Sequence, residues 1–325
     1  MTPPYYIDLH SDTITKLCYP IENLNRNRKM VTIKRMIQGG TLIQCFSAFV
    51  PTGLYPKPLS NTLSWARFLA IARKKDCLIR QHNLELTPIC SAHDLEMLPL
   101  HYLRRIGVLF TIEDAGIFQA DITRVQSAYD RGVRIASLTW NHENTLAYPN
   151  STNPVIMQKG LKPFGLEVLE EMNRLGIIID VSHLSDGGFW NVAKYSHSPF
   201  IASHSNSRLL TNHPRNLTDD MLRILANKGG VAGLNFAPAF LSSNIKESNI
   251  SDMVAHICHI KDIAGSEVLA IGSDFDGIHG RLQIQTPADI PLLYDALLHA
   301  GLTHHELENM WYRNSLRIFK EVFKS

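Results

Sequence analysis

Five side chains able to bind a metal ion follow directly on short apolar runs in this chain: His10, Asp12, Glu113, His183 and His204. A further pair of acids, Asp274 and Asp276, follows another such run. Three histidines with two carboxylates form a mixed nitrogen and oxygen ligand set. Such a set suits zinc and its neighbours better than magnesium or calcium, which favour all-oxygen shells. Five ligands exceed the three protein ligands usual for one catalytic zinc. Two Zn²⁺ ions per chain, roughly 3.5–4 Å apart and bridged by Glu113 and a hydroxide, would use all five. His10 and Asp12 have the i, i+2 spacing that puts two side chains on one face of a strand. Each residue alone is weak evidence, since a lone strand-end histidine is more often a hydrogen-bonded core residue. Their coincidence at the ends of four separate runs carries the argument.

Those residues need a scaffold that brings strand ends together. Short apolar runs recur along the whole chain: YYIDL (5–9), TLIQCFSAFV (41–50), GVLFTIE (107–113), VRIASLTW (133–140), IIIDVSH (177–183), PFIASH (199–204), GVAGLNF (230–236) and VLAIGSD (268–274). Most are apolar on both faces, as parallel strands covered by helices are. Between them lie segments of helical character. LEVLEEMNRLG (166–176) spaces Leu166, Leu169, Met172 and Leu175 helically and ends on Gly176 as a C-cap. LTDDMLRILANKGG (217–230) opens with Thr218 as N-cap and early acids. Segment 303–323 reads as one or two terminal helices. Eight strands alternating with helices, with no linker-like stretch, predict an α/β fold: one (β/α)₈ TIM barrel over residues 1–325. Barrel enzymes build their sites from loops at the C-terminal ends of the strands. Segments 51–61 and 142–165 are the candidate loops here.

Composition narrows the function. The chain has 325 residues, 45% of them hydrophobic and 19% charged, which supports a sizeable core. A net charge of +2 gives no global field to attract nucleic acid or an anionic membrane. The cluster Arg26, Arg28, Lys29, Lys34 and Arg35 reads as a solvated helix end. Cys18, Cys45, Cys77, Cys90 and Cys258 are odd in number and widely spaced, with no C-x-x-C pair. That argues against a disulfide framework or a Cys₄ zinc site and for reduced thiols in the cytoplasm. The opening MTPPYYIDLHSD has no signal-peptide pattern, and no stretch approaches the length of a membrane span.

With these motifs in hand, the chain resembles the membrane (renal) dipeptidase family of zinc peptidases, as a soluble member of bacterial type. YYIDLHSDTI resembles the family's opening block and TIEDAG its strand-three glutamate motif. GLKPFGLEVLEEMNRLGIIIDVSHLS, ASHSNSRLLTNHPRNLTDDML and IGSDFDG resemble later blocks, all in order between residue 5 and about residue 280. The resemblance implies that His10 and Asp12 ligate one zinc, His183 and His204 the second, and that Glu113 bridges both. It implies that Arg215, eleven residues after His204, binds the substrate carboxylate, and that Asp274 manages protons, with Asp276 as the fallback. It further implies dipeptide substrates and a homodimer. One departure falls after the fourth run. The better-known animal members have Leu-Thr-His followed three residues later by Asn, whereas this chain reads Leu138-Thr139-Trp140-Asn141-His142-Glu143-Asn144. His142 would serve as the substrate-binding histidine if the loop absorbs one residue, with Asn141 or Asn144 sharing the task. Two other readings stay open: a metal-dependent amidohydrolase acting on a lactam or N-acyl amino acid, and a non-catalytic metal-binding barrel.

Overall fold

A computed structural model of the protein describes residues 5–56, 59–101 and 105–324, with the side chains of 99–101 left aside. Lys57 and Pro58 of candidate loop 51–61, residues 1–4, residues 102–104 and Ser325 lie outside the described residues. In chain order the strands are β1 (Tyr6–Asp8), β2 (Thr41–Phe49), β3 (Leu86–Pro88), β4 (Ile106–Glu113), β5 (Val133–Ser137), β6 (Ile178–Asp180), β7 (Ile201–Ala202), β8 (Val231–Leu234), β9 (Glu247–Ser248), β10 (Leu269–Ile271) and β11 (Arg281–Leu282). The order β2-β1-β10-β8-β7-β6-β5-β4, with β2 also paired to β4, closes eight parallel strands into a (β/α)₈ barrel. Each of the eight apolar runs supplies one of them.

Three short strands lie outside the sequence expectation. β3 adds to the first residues of β4, below the point where β5 takes over that edge. It has three residues and ends on Pro88, which has no N–H to give a ladder, so it carries no apolar signature. β9 and β11 form a separate two-stranded ribbon.

Interior residues of the barrel come from alternate positions. Ile7, Ile43, Cys45, Leu109, Ile135, Ile178, Ile201, Val231 and Ala270 pack together with Ile318, Phe319, Val322 and Phe323 of the last helix. Leu109, Thr111 and Glu113 share one face of β4 by the period of two, so the strand that buries Leu109 in the interior carries Glu113 to the mouth. The larger apolar layer lies between strands and helices.

Helix ends follow local chemistry. The helix Pro163–Leu175 starts three residues before the predicted 166, with Pro163 at its first turn, and stops at Gly176 in the left-handed region (φ 80). Thr218 caps Asp219–Asn227 by accepting from Met221 N. The terminal segment is His304–Glu308 and Asn314–Val322 joined by a π-helical turn, Asn309–Arg313.

One buried carboxylate fastens both candidate loops to the barrel. Asp114 follows β4 in the left-handed region (φ 73). Its Oδ2 accepts from Thr52 N (2.7 Å) and Thr52 Oγ1 (2.8 Å), and its Oδ1 from Asn144 Nδ2 (2.8 Å) and Gly116 N (3.1 Å). Replacing it by alanine strands four donors. Asp114→Ala is expected to lower stability by about 2–3 kcal/mol, the cost of leaving buried groups unpaired. Urea unfolding checks this; a midpoint equal to the parent's would show that the loops are held by other contacts.

Candidate active site

Strand pairing continues past the regular strand ends, and this aligns the functional side chains. Leu9 N donates to Ile271 O, Asp274 N to His10 O and Asp12 N to Phe275 O. β1 stops at Asp8, so His10 and Asp12 are placed by this irregular continuation rather than by strand alternation. It also sets His10 beside Asp274, with Nε2 and Oδ1 3.9 Å apart. From β4, Glu113 reaches His10 Nε2 (3.5 Å), His183 Nε2 (3.0 Å) and His204 Nε2 (4.0 Å). The rings of His10 and His204 lie 3.9 Å apart. Ligand atoms of His10, Glu113 and His204 all fall within 4.8 Å of one another. Asp12, Glu113, His183 and Asp274 face a cleft of ≈ 440 Å³ walled by Phe49, Trp140, Phe240 and Ile278.

The donor set fits metal ions, and hydrogen bonding decides how. His183 Nδ1 lies 2.9 Å from Asn141 Oδ1, so that nitrogen carries the proton. His204 Nδ1 lies 2.7 Å from Ser203 Oγ. With Nδ1 the donor in each of these contacts, both imidazoles present an unprotonated Nε2, and these two nitrogens are 3.0 Å apart. Two lone pairs that close repel unless a cation stands by them. His10 Nε2 and Asp12 Oδ1 are buried with no hydrogen-bond partner.

The electrostatics agree. Burial first, then the charges of Arg215 and His10, hold His183 near a pKa of about 3, and burial with the same neighbours pushes His204 well down. Burial also opposes charge on His10, yet Glu113, Asp274 and Asp12 outweigh it and push its pKa up to about 10. Burial and the Glu113 charge push Asp12 well up. This mouth favours added positive charge.

The chain matches the membrane dipeptidase family (peptidase family M19) over residues 1–325. It belongs to that family. An uncharacterized dipeptidase of Schizosaccharomyces pombe is 37% identical over 302 residues, 89% of this chain and 72% of the yeast protein. Mouse dipeptidase 3 is 28% identical over 312 residues, 92% of this chain and 59% of the mouse protein. A metallopeptidase from Rhodobacter sphaeroides, solved with a phosphinate mimic of the dipeptide L-Ala-D-Ala, shares the fold at a TM-score of 0.90 with 22% identity, covering 99% of this chain and 100% of that one. Membership makes the protein a metal-dependent hydrolase of the dipeptidase class. No helix among the described residues is long and apolar enough to cross a membrane.

Within this dipeptidase-family barrel the remaining sequence candidates fall as follows. Asp276 is turned from the mouth: Oδ1 accepts from Met30 N (2.8 Å) and Oδ2 from Thr13 Oγ1 (2.5 Å). Asp274 is left as the acid at the cleft. It is held by Asn235 Nδ2 (3.1 Å), and its pKa is raised to about 6 by burial and Glu113, against the attraction of His10. Trp140 and Asn141 line the cleft, whereas His142 lies behind Trp140, where a Cβ on Gly53 would strike it. Asn144 is committed to Asp114, Leu138 O and the amides of Leu146 and Ala147. Arg215 is buried, donating to Ser205 Oγ and His204 O (both 3.2 Å), with Nε lacking a partner.

Several positions have roles that the sequence did not assign to them. Ser203, Asp180 and Asn141 act on the histidines by hydrogen bonds, and Phe240 reaches the cleft from the short helix Pro238–Leu241 after β8. Only the recurrence of an acid two residues before a polar residue, Asp8-Leu9-His10 and Asp180-Val181-Ser182, hinted at a shared device.

Among the described residues Glu113 is the one carboxylate in reach of all three histidines. Glu113→Gln is expected to remove most bound metal, measured by atomic absorption after dialysis. Retention of two ions per chain would exclude Glu113 as the shared ligand.

Proposed function

We propose that the protein is a dinuclear zinc peptidase that hydrolyses dipeptides, with His10 and Asp12 holding one ion, His183 and His204 the other, and Glu113 bridging them. The observation that carries this reading is the pair of Nε2 atoms 3.0 Å apart beside Glu113, on rings whose Nδ1 atoms are already engaged. The five free cysteines are consistent with a reducing compartment, the cytoplasm.

Bound in this set, the ions would supply a hydroxide nucleophile at neutral pH and polarise the scissile carbonyl. Proton movement falls to Asp274. Its carboxylate takes the proton released as water adds to the carbonyl carbon and returns it to the amine as the C–N bond breaks, leaving one free amine and one carboxylate. A pKa near neutrality suits a group that must do both.

Substrate length falls to Arg215. Burial lowers its pKa to about 10, still far above neutrality, so the guanidinium stays charged; among the described residues no carboxylate lies within ion-pair distance. A buried cation with a free N–H favours an anion, and guanidinium matches a carboxylate bidentately. A dipeptide places its terminal carboxylate there. A longer peptide would place a neutral amide there and leave the charge uncompensated.

Hydrolysis of a mixed dipeptide panel tests the activity, with zinc added and after chelation. Cleavage abolished by the chelator and restored by zinc is expected. A metal-loaded sample that leaves every dipeptide intact would move the search to lactams and N-acyl amino acids. Arg215→Ala is expected to lower kcat/KM on free dipeptides by about 10²-fold or more, as truncation of a buried charge partner does. A dipeptide amidated at its C-terminus should lose little further, and metal content should hold. Equal losses on both substrates would remove Arg215 from carboxylate recognition.

A further inference from the structure

We propose that Ser203 is a positioning residue, whose hydroxyl links the Asp180 carboxylate to His204 Nδ1 and fixes the tautomer that turns Nε2 toward the metal. This rests on the reading of the mouth as a zinc site. Ser203 Oγ lies 2.6 Å from Asp180 Oδ2 and 2.7 Å from His204 Nδ1. All three residues are buried. Asp180 Oδ1 accepts from the amides of Ser182 and Ser203 (both 2.9 Å), which marks the group as an acceptor.

A serine hydroxyl has one proton. The carboxylate takes it, so the oxygen has only lone pairs to offer His204, and His204 must donate from Nδ1. The direction of the chain Asp180, Ser203, His204 is therefore fixed, and Nε2 is left bare. A ligand held this way is both oriented and made more basic. Asn141 does the same work for His183 from the other side of the mouth.

The barrel holds a matching device without the imidazole. Asp8 Oδ1 accepts from Ser273 N (2.9 Å) and Asp8 Oδ2 from Ser273 Oγ (2.6 Å). There the serine oxygen meets only backbone, His10 O and Phe275 N. Both pairs tie neighbouring strands, β6 to β7 and β1 to β10. Only the Ser203 pair reaches a metal-facing ring, so the two serines separate a strand clamp from a ring clamp.

The experiment is zinc titration of the purified parent, Ser203→Ala and Ser273→Ala against a chromophoric chelator, with thermal unfolding of each metal-free protein alongside. In Ser203→Ala one zinc is expected at parent affinity and the second weakened about 10–100-fold, the usual consequence of losing such a partner. Cobalt substitution should show the visible absorption of one ion altered. Ser273→Ala should lose similar stability but no affinity at the His183 and His204 ion. Two zinc ions at parent affinity in Ser203→Ala would overturn the proposal, as would equal weakening at that ion in both variants. A parent that binds no zinc would overturn the underlying site reading instead.

Discussion

The structure turns on the burial of bare imidazole nitrogens and carboxylates in one mouth. His183 and His204 face each other through unprotonated Nε2 atoms at 3.0 Å, with Glu113 against both. No side chain arrangement of that kind is stable unless positive charge is shared among the groups, because burial penalises each charge and each unpaired polar atom. The protein commits the outer nitrogens of both rings to hydrogen bonds, so the inner ones can take a proton only by forming an imidazolium, which burial and the charges of Arg215 and His10 oppose. What remains favourable is a cation. The same burial that lowers the histidine pKa values lets the carboxylates raise that of His10.

Holding that arrangement requires stiffness where barrel strands give way to loops. Among the described residues the non-glycine positions with positive φ are Asp114, Gln119, His183, Asp274 and Asp276, and all but Gln119, which ends the 3-10 turn Ala115–Phe118, lie just past strand ends. Such conformations persist only where surrounding bonds over-determine them. Asp114 accepts four hydrogen bonds, Asp276 binds Met30 and Thr13, and His183 is held through Asn141. Asp8 and Asp180 lock adjacent strands just below the ligands. Carboxylates that touch no substrate thus carry the geometry of those that could.

This division explains what the sequence made legible. Barrel strands are buried on both faces, so apolar composition alone exposes each of the eight, and the candidate ligands stand out because ionisable residues interrupt that composition. Strand ends were less legible: β1 stops at Asp8, and His10 and Asp12 owe their place to pairing with Ile271–Phe275, a contact between residues far apart in the chain. Loop direction was not legible at all. His142 and Asn141 are adjacent and both polar, yet of the two only Asn141 faces the cleft, while His142 packs against Gly53 and beside Trp140. Asp276 resembled Asp274 in type and spacing. Its partner Met30 is 246 residues away, and no local pattern announces that bond.

The remaining asymmetry of the mouth bears on selectivity. Negative and metal-binding groups crowd one part of the cleft, while a buried guanidinium stands behind His204 with its plane near Phe240. A molecule that satisfies both must carry a polarisable carbonyl and an anionic end a short, fixed distance apart. The apolar wall of Phe49, Trp140, Phe240 and Ile278 adds contact area without adding hydrogen-bond demands. Arg215 also lowers the pKa of both His183 and His204 through its charge. The residue that would select the substrate therefore helps keep the ligands neutral, and binding of an anion to it would ease the repulsion between that cation and metal ions in the same mouth.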